Sequence, residues 1–172
     1  DGALETIKSF QSEGKTQFLG LSDWNSNKIM TFVDYCRPDV VQPYRNVWDD
    51  SYESSGLKDY VEKNSLGVCF FSPIMHGLLT GKYSKPTSFE RGDFRENIKA
   101  FKNQTIISKM RKNAKLIKKR FKDHPFPTMH GIVDVLISDS KNSCVLLGQR
   151  NKHQVSVAQT LGENMNKKDI EW

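Results

Sequence analysis

The chain has 172 residues and an apolar fraction of 37%, with ten Phe, five Tyr and three Trp to fill a core. That length fits one domain of roughly 100–200 residues, and the aromatic content argues against disorder. No apolar run approaches the roughly 20 residues that cross a bilayer, and Asp1-Gly2-Ala3-Leu4-Glu5 lacks the basic start and apolar centre of a secretory leader. The net charge is +6. Ten basic residues and no acidic ones fall between Lys99 and Lys122, so the remainder nets −4 (+6 less ten). Cys36, Cys69 and Cys144 are odd in number and lack short metal-ligand spacing, so free thiols in a cytoplasmic protein are expected, with no metal site.

In chain order, Leu4, Ile7, Phe10 and Gln11 keep helical spacing, and Gly14 is placed to end that helix. Thr16 to Leu21 reads as a short strand closed by Ser22-Asp23. Ile29, Phe32, Val33 and Cys36 form a second helical stripe, entered at Asn25-Ser26 and ended before Arg37-Pro38. Val40-Val41-Gln42 predicts a strand, Leu57, Tyr60 and Val61 a helix, and Leu66 to Phe71 a third strand. An irregular stretch follows over about 72–97, broken by Gly77, Gly81, Pro86 and Gly92; loops this long are usually functional or mobile. Ile107, Met110, Ala114, Ile117 and Phe121 mark an amphipathic helix with basic outer faces, which His124-Pro125-Phe126-Pro127 breaks. Met129 to Leu136 predicts another helix, Cys144 to Leu147 a strand, and Val155, Ala158, Leu161 and Met165 a final helix.

Apolar strands separated by helices imply an α/β fold with a parallel sheet, whose ligands bind at the carboxyl ends of the strands. Those ends carry Ser22-Asp23, Gln42, Phe71-Ser72 and Gly148-Gln149-Arg150. Short polar groups, one aromatic face and one cation suit a flat heteroaromatic amide joined to an anion. The set contains no His/carboxylate pair placed for proton transfer. The basic stretch would suit a nucleic acid, but no nucleic-acid motif or interleaved aromatics accompany it, and an exposed outer helix is the favoured reading.

Phe18 to Trp24, Asp39 to Gln42, Gly67 to Tyr83 and Cys144 to Arg150 resemble, in order and spacing, four segments of the aldo-keto reductases. The resemblance covers almost the whole chain. It implies parallel (β/α) units equivalent to the second half of a TIM (β/α)8 barrel, forming one domain over 1–172. It also implies NADP(H)-dependent reduction of aldehydes or ketones. By this resemblance Ser22 and Gln42 match the nicotinamide carboxamide contacts, and Phe71 matches the aromatic that stacks on the nicotinamide ring. Ser72, Ile74, Leu78 and Lys82 match the loop around the pyrophosphate. Arg95, in preference to Arg91, matches an arginine in the segment covering the cofactor, and Gly148, Arg150 and Gln154 match the turn at the 2′-phosphate.

Three departures stand beside these matches. Asp23 replaces the family's usual Asn, and Val157-Ala158 replace the Glu-Asn pair that holds adenine, so NADP(H) binding is expected to be weak or lost. The resemblance also begins at the family's middle: the Asp, Tyr, Lys and His of its chemistry lie on the first four strands, to which nothing here aligns. No catalytic residue is therefore assigned. The expected partners are a second copy or an N-terminal barrel half, with a small carbonyl substrate once the barrel is complete, and neither membrane nor nucleic acid. The alternative is a degenerate, non-catalytic module that binds a protein or an anionic partner. Leu19, Leu21, Val41, Val68, Phe70 and Val145 are expected to face the barrel interior.

Overall fold

The computed structural model describes residues 2–172; Asp1, the first residue of the stretch read for a leader, lies outside them. The chain divides into two compact units, one of residues up to Pro73 together with Asp139–Leu147, the other of Ile74–Ser138 and Gly148–Trp172.

The first unit is an α/β layer. Its elements are α1 (Gly2–Ser12), β1 (Gly20–Asp23), α2 (Ser26–Cys36), β2 (Val40–Pro43), α3 (Ser51–Ser54), α4 (Leu57–Asn64), β3 (Gly67–Phe70) and β4 (Ser143–Val145). The four strands form one parallel sheet in the order β1-β2-β3-β4. The Asn25 side chain accepts from the Asn27 N–H to start α2, and Arg37 in the left-handed region closes it onto the Val33 carbonyl. Ile29 and Val33 of α2 and Leu57 and Val61 of α4 are buried, and with them Val41, Val68 and Phe70 of the sheet.

That burial corrects the expected facing of the strands. Leu19, Val41, Val68 and Phe70 are 7%, 0%, 2% and 0% exposed. Leu21 and Val145 are register partners of Val41 and Phe70 and so share their side. The six residues do lie on one face, but it is the helix-covered one. The opposite face carries Ser22, Gln42, Cys69 and Cys144, half-buried to exposed. Alternation fixes which residues share a face but not which face is covered.

Two boundaries also move. The first strand begins at Gly20 and not Thr16, because backbone pairing with β2 starts there; Leu19 is instead tied to Asp39, whose Oδ2 accepts its N–H at 2.7 Å. The final stripe is not one helix: α8 (Lys152–Ala158) stops well before Met165, and the chain resumes at α9 (Lys167–Glu171). Between them Gly162 has φ +105° and gives its N–H to Asp134 Oδ1 at 2.8 Å, a contact that a continuing helix could not make.

The second unit is helical. It holds the expected irregular stretch, with tight turns at Met75–Gly77 and Phe94–Asn97, then α5 (Gln104–Arg120), α6 (Pro127–Met129), a π-helical turn (His130–Asp134), α7 (Val135–Ser138), α8 and α9. Ile107, Met110 and Ala114 form the buried stripe of α5, as their spacing predicts. Gly131 lets the next helical segment approach: a Cβ there would lie 2.4 Å from Ile117 Cγ2. Among the described residues no helix is long and apolar enough to cross a membrane.

Candidate functional site

In the first unit, β1 and β2 bring Ser22 opposite Gln42, and the Ser22 hydroxyl donates to the Gln42 carbonyl at 2.9 Å. Ser22 is thus spent on the sheet and does not cap α2, a role Asn25 fills. Just beyond β3, Phe71 bridges to Tyr44. Its ring meets Trp24 edge-on at 4.7 Å and Tyr44 at 5.7 Å, while Trp24 and Tyr44 lie 5.2 Å apart. Trp24 and Tyr44 are not among the site residues expected from the sequence. Tyr44 stands two residues beyond Gln42, and this period-two spacing was the available signal. Burial holds the Tyr44 phenol above its usual range, with the Asn46 hydrogen bond opposing, so it stays protonated at neutral pH.

Asp23 has its own local task. Its Oδ1 accepts from the Asn25 N–H at 2.9 Å and its Oδ2 pairs with Lys28 at 2.8 Å. The Lys28 hydrogen bond holds this carboxyl below its usual range. The anion therefore serves the turn into α2.

In the second unit, the loop after Pro73 is backbone-strained. Met75, His76 and Gly77 have φ of 46°, 53° and 88° in succession, and such runs concentrate where a ligand or close contact over-determines the chain. At Gly77 the requirement is also spatial: a Cβ would stand 2.9 Å from Lys82 Nζ. Lys82 lies over the Tyr83 ring at 5.0 Å with its ammonium exposed. The Leu78 side chain is buried core, and its N–H already donates to the Met75 carbonyl at 3.0 Å. Ile74 is half-buried, and its carbonyl accepts from Gly77 at 2.9 Å. Ser72, in the first unit, also has a positive φ of 58°.

His76 carries an observation that the sequence did not offer: its Nε2 is buried and meets no hydrogen-bond partner. Burial, and after it the Arg95 charge, lowers its pKa, so the ring is neutral and Nε2 is available as a donor or an acceptor. Arg95 is clamped by both carboxylate oxygens of Asp93, reaches the Tyr83 hydroxyl at 3.4 Å and lies 4.2 Å over Phe89. Those hydrogen bonds push Asp93 down to about 2, with the Arg150 charge adding a smaller share. At the last turn, Gly148 and Arg150 are exposed, the Arg150 N–H donates to Gln154 Oε1 at 2.6 Å, and Asn151 accepts from the Gln154 N–H at 3.0 Å. Val157, at the expected adenine position, is buried core.

The same unit assembles His124, His130 and Asp134, with one potential ligand atom of each within 4.8 Å of the others. Sequence spacing missed this grouping because His124 lies beyond a helix break. The atoms are already engaged. His130 Nδ1 meets Asp134 Oδ2 at 2.7 Å, His124 Nδ1 accepts from the Phe126 N–H at 3.0 Å, and His124 Nε2 meets the Thr160 carbonyl at 3.3 Å. The rings stack at 4.4 Å with 15° between planes, an arrangement that does not aim both lone pairs at one point. The cluster ties the π turn to residues 160–162.

The parallel sheet and helices match known folds. The structure of a glycerol dehydrogenase from Gluconobacter oxydans superposes with a TM-score of 0.80 and 22% identity, over 98% of this chain and 51% of that one. A family model described as the aldo/keto reductase family matches residues 2–170. The chain belongs to the aldo/keto reductase family. Among curated relatives, the aldo-keto reductase YhdN of Bacillus subtilis is 24% identical over 96% of this chain and 50% of its own length. The aldo-keto reductase yakc [NADP(+)] of Schizosaccharomyces pombe is 25% identical over 64% of this chain and 35% of its own. The chain thus spans at most about half the length of these relatives.

Proposed function

We propose that these residues form the cofactor-binding part of an NADP(H)-dependent reductase of aldehydes and ketones. The carrying observation is that Ser22, Gln42 and Phe71 gather at the carboxyl ends of adjacent parallel strands, where this architecture binds ligands. In this reading the Gln42 amide orients the nicotinamide carboxamide, and Phe71, steadied by Trp24 and Tyr44, offers an aromatic surface to its ring. When bound, the cofactor supplies the hydride.

Taken by itself, the second unit offers groups suited to an anion. Lys82 and Arg150 present exposed charges, Arg95 stays protonated beside Asp93, and the unpartnered His76 Nε2 is a buried polar atom for which a phosphate oxygen or ribose hydroxyl would be a partner. The NADP(+) in the name of the Schizosaccharomyces relative supports the same cofactor. Binding is weak in this reading, because buried Val157 gives adenine no polar contact. In this reading no residue of this chain is assigned as the proton donor for hydride transfer.

Thermal unfolding with added nucleotide tests this reading, since a ligand that binds only the folded chain raises its midpoint. NADPH should raise the Tm of the chain more than NADH does, and Lys82→Ala or Arg150→Ala should erase the difference. Equal shifts from both nucleotides in all three proteins would refute the phosphate assignment.

A further inference from the structure

On the sheet face away from the helices, one transverse row crosses all four strands. Ser22 pairs with Gln42 and Cys69 with Cys144, and one step beyond the Val41–Val68 pair, Gln42 lies opposite Cys69. The two thiols are therefore register partners on adjacent parallel strands, with side chains on the same side of the sheet. Both are free, Cys69 half-buried and Cys144 exposed. Burial, and after it the neighbouring Cys144 thiol, holds the Cys69 thiol up at about 11.

We propose that Cys69 and Cys144 are a reversible disulfide-forming pair, oxidised by a peroxide. Neighbouring parallel strands lie about 4.7–4.9 Å apart, inside the Cα separation a disulfide accepts, although the Cβ atoms must draw together. Such a bond is less relaxed than a structural one and is open to reduction by a small thiol. Cys36, near the end of α2, has no such partner in register and serves as the internal control.

The chemistry balances without a group from the protein beyond the two thiols. The exposed Cys144, as thiolate, attacks one peroxide oxygen; the O–O bond breaks and the other oxygen leaves as water after taking a proton. The resulting sulfenic acid is attacked by Cys69 sulfur. The S–S bond forms, the S–O bond breaks, and hydroxide leaves with the Cys69 proton as a second water. Two thiols are oxidised by two electrons and one peroxide is reduced to two waters.

The row also contains Gln42 and Ser22. If the cofactor reading above is right, the bond would disturb nicotinamide binding; this consequence rests on that reading, whereas the bond itself does not.

Treating the folded chain with hydrogen peroxide, alkylating the remaining thiols and mapping the peptides tests the proposal. The expected product is a Cys69–Cys144 cross-linked peptide within one chain, with Cys36 alkylated, reversed by reduced glutathione and absent in Cys69→Ser and Cys144→Ser. The proposal is overturned if Cys144 proceeds to sulfinic or sulfonic acid while Cys69 remains alkylatable. It is equally overturned if Cys144 links to a second chain, or if both thiols survive a peroxide dose that oxidises the urea-unfolded protein. The map is read on the unsubstituted chain, so it stands even where a variant folds poorly. NADPH titration of the oxidised form separates the two readings: the bond without a change in affinity leaves this proposal intact and counts only against the cofactor face.

Discussion

Arg45 is a cation only 4% exposed, and its surroundings explain why it is tolerated. Its guanidinium lies 4.8 Å over Tyr52 and 4.7 Å over Phe70, pairs with Glu53, and donates to Asp139 at 2.6 Å and Ser140 at 3.1 Å. Lys58 meets the same Asp139 at 2.8 Å. Removing one partner of a buried pair is costlier than the pair itself is stabilising. Asp139 is 29% exposed, so Asp139→Ala should cost about 1–3 kcal/mol, measured by urea unfolding.

The pH dependence at this position has a definite sign. Burial raises the Asp139 pKa, but the Lys58 and Arg45 hydrogen bonds outweigh it and leave it below the ordinary 3.8. A depressed folded pKa contributes stability above the unfolded value and loses it as pH falls through the folded one. Tm should therefore fall more steeply for the native chain than for Asp139→Asn from about pH 4 downward. Parallel Tm curves would show that this pair is not linked to acid unfolding.

Single residues were also where the sequence was least informative. The placement of Ser22, Gln42 and Phe71 at strand ends was legible, because apolar runs mark where each strand stops. His76 was not, because an unpartnered buried nitrogen is a property of packing. Asp23 read as a loss of the family's amide, yet its carboxylate holds the turn into α2 and Lys28, a local role no motif match displays.

At the scale of elements, α5 was the plainest: its stripe steps by three and four, Asn103 caps its start by accepting from Ile106 N–H at 3.1 Å, and Lys118, Lys119 and Arg120 complement its carboxyl end. The π turn at His130–Asp134 was hidden, because one extra residue in a turn leaves the apolar spacing nearly unchanged. Close packing of α5 against this segment depends on Gly131. A methyl there would meet Ile117 Cγ2 at 2.4 Å and Phe121 Cε2 at 3.1 Å. Gly131→Ala should therefore destabilise by about 1–3 kcal/mol through overpacking, despite the better helix propensity of alanine. A neutral or stabilising result in thermal unfolding would mean that the two helices part without cost.

At the scale of the molecule, four parallel strands leave β1 and β4 each with one neighbour among the described residues, and one sheet face is covered by helices of the first unit. On the other side, Cys144 is exposed and Leu146 is 50% exposed. Apolar surface and strand edges of this kind favour association, and natural proteins usually cover them. Sedimentation equilibrium at micromolar concentration should find the 172-residue chain self-associated; a monomer with a sharp cooperative melt would show that it needs no second copy.

The alternation of strands and helices was legible throughout, because apolar runs and breakers are local. The covered face of the sheet was not. Val41, Val68 and Phe70 are buried on the helix-covered side, and only the packed structure shows that Gln42, Cys69 and Phe71 are left on the opposite side, where we propose that a nicotinamide binds.

Titration of NADPH with the chain, followed by nicotinamide fluorescence, bears most directly on that assignment. Phe71→Ala should weaken binding by about 1 kcal/mol, or roughly fivefold, through the lost aromatic contact, with Trp24 and Tyr44 left in place. A weak, saturable signal in the native chain that falls in Phe71→Ala is the predicted result. Saturation with the same affinity in both proteins would contradict the placing of the nicotinamide on this face of the sheet.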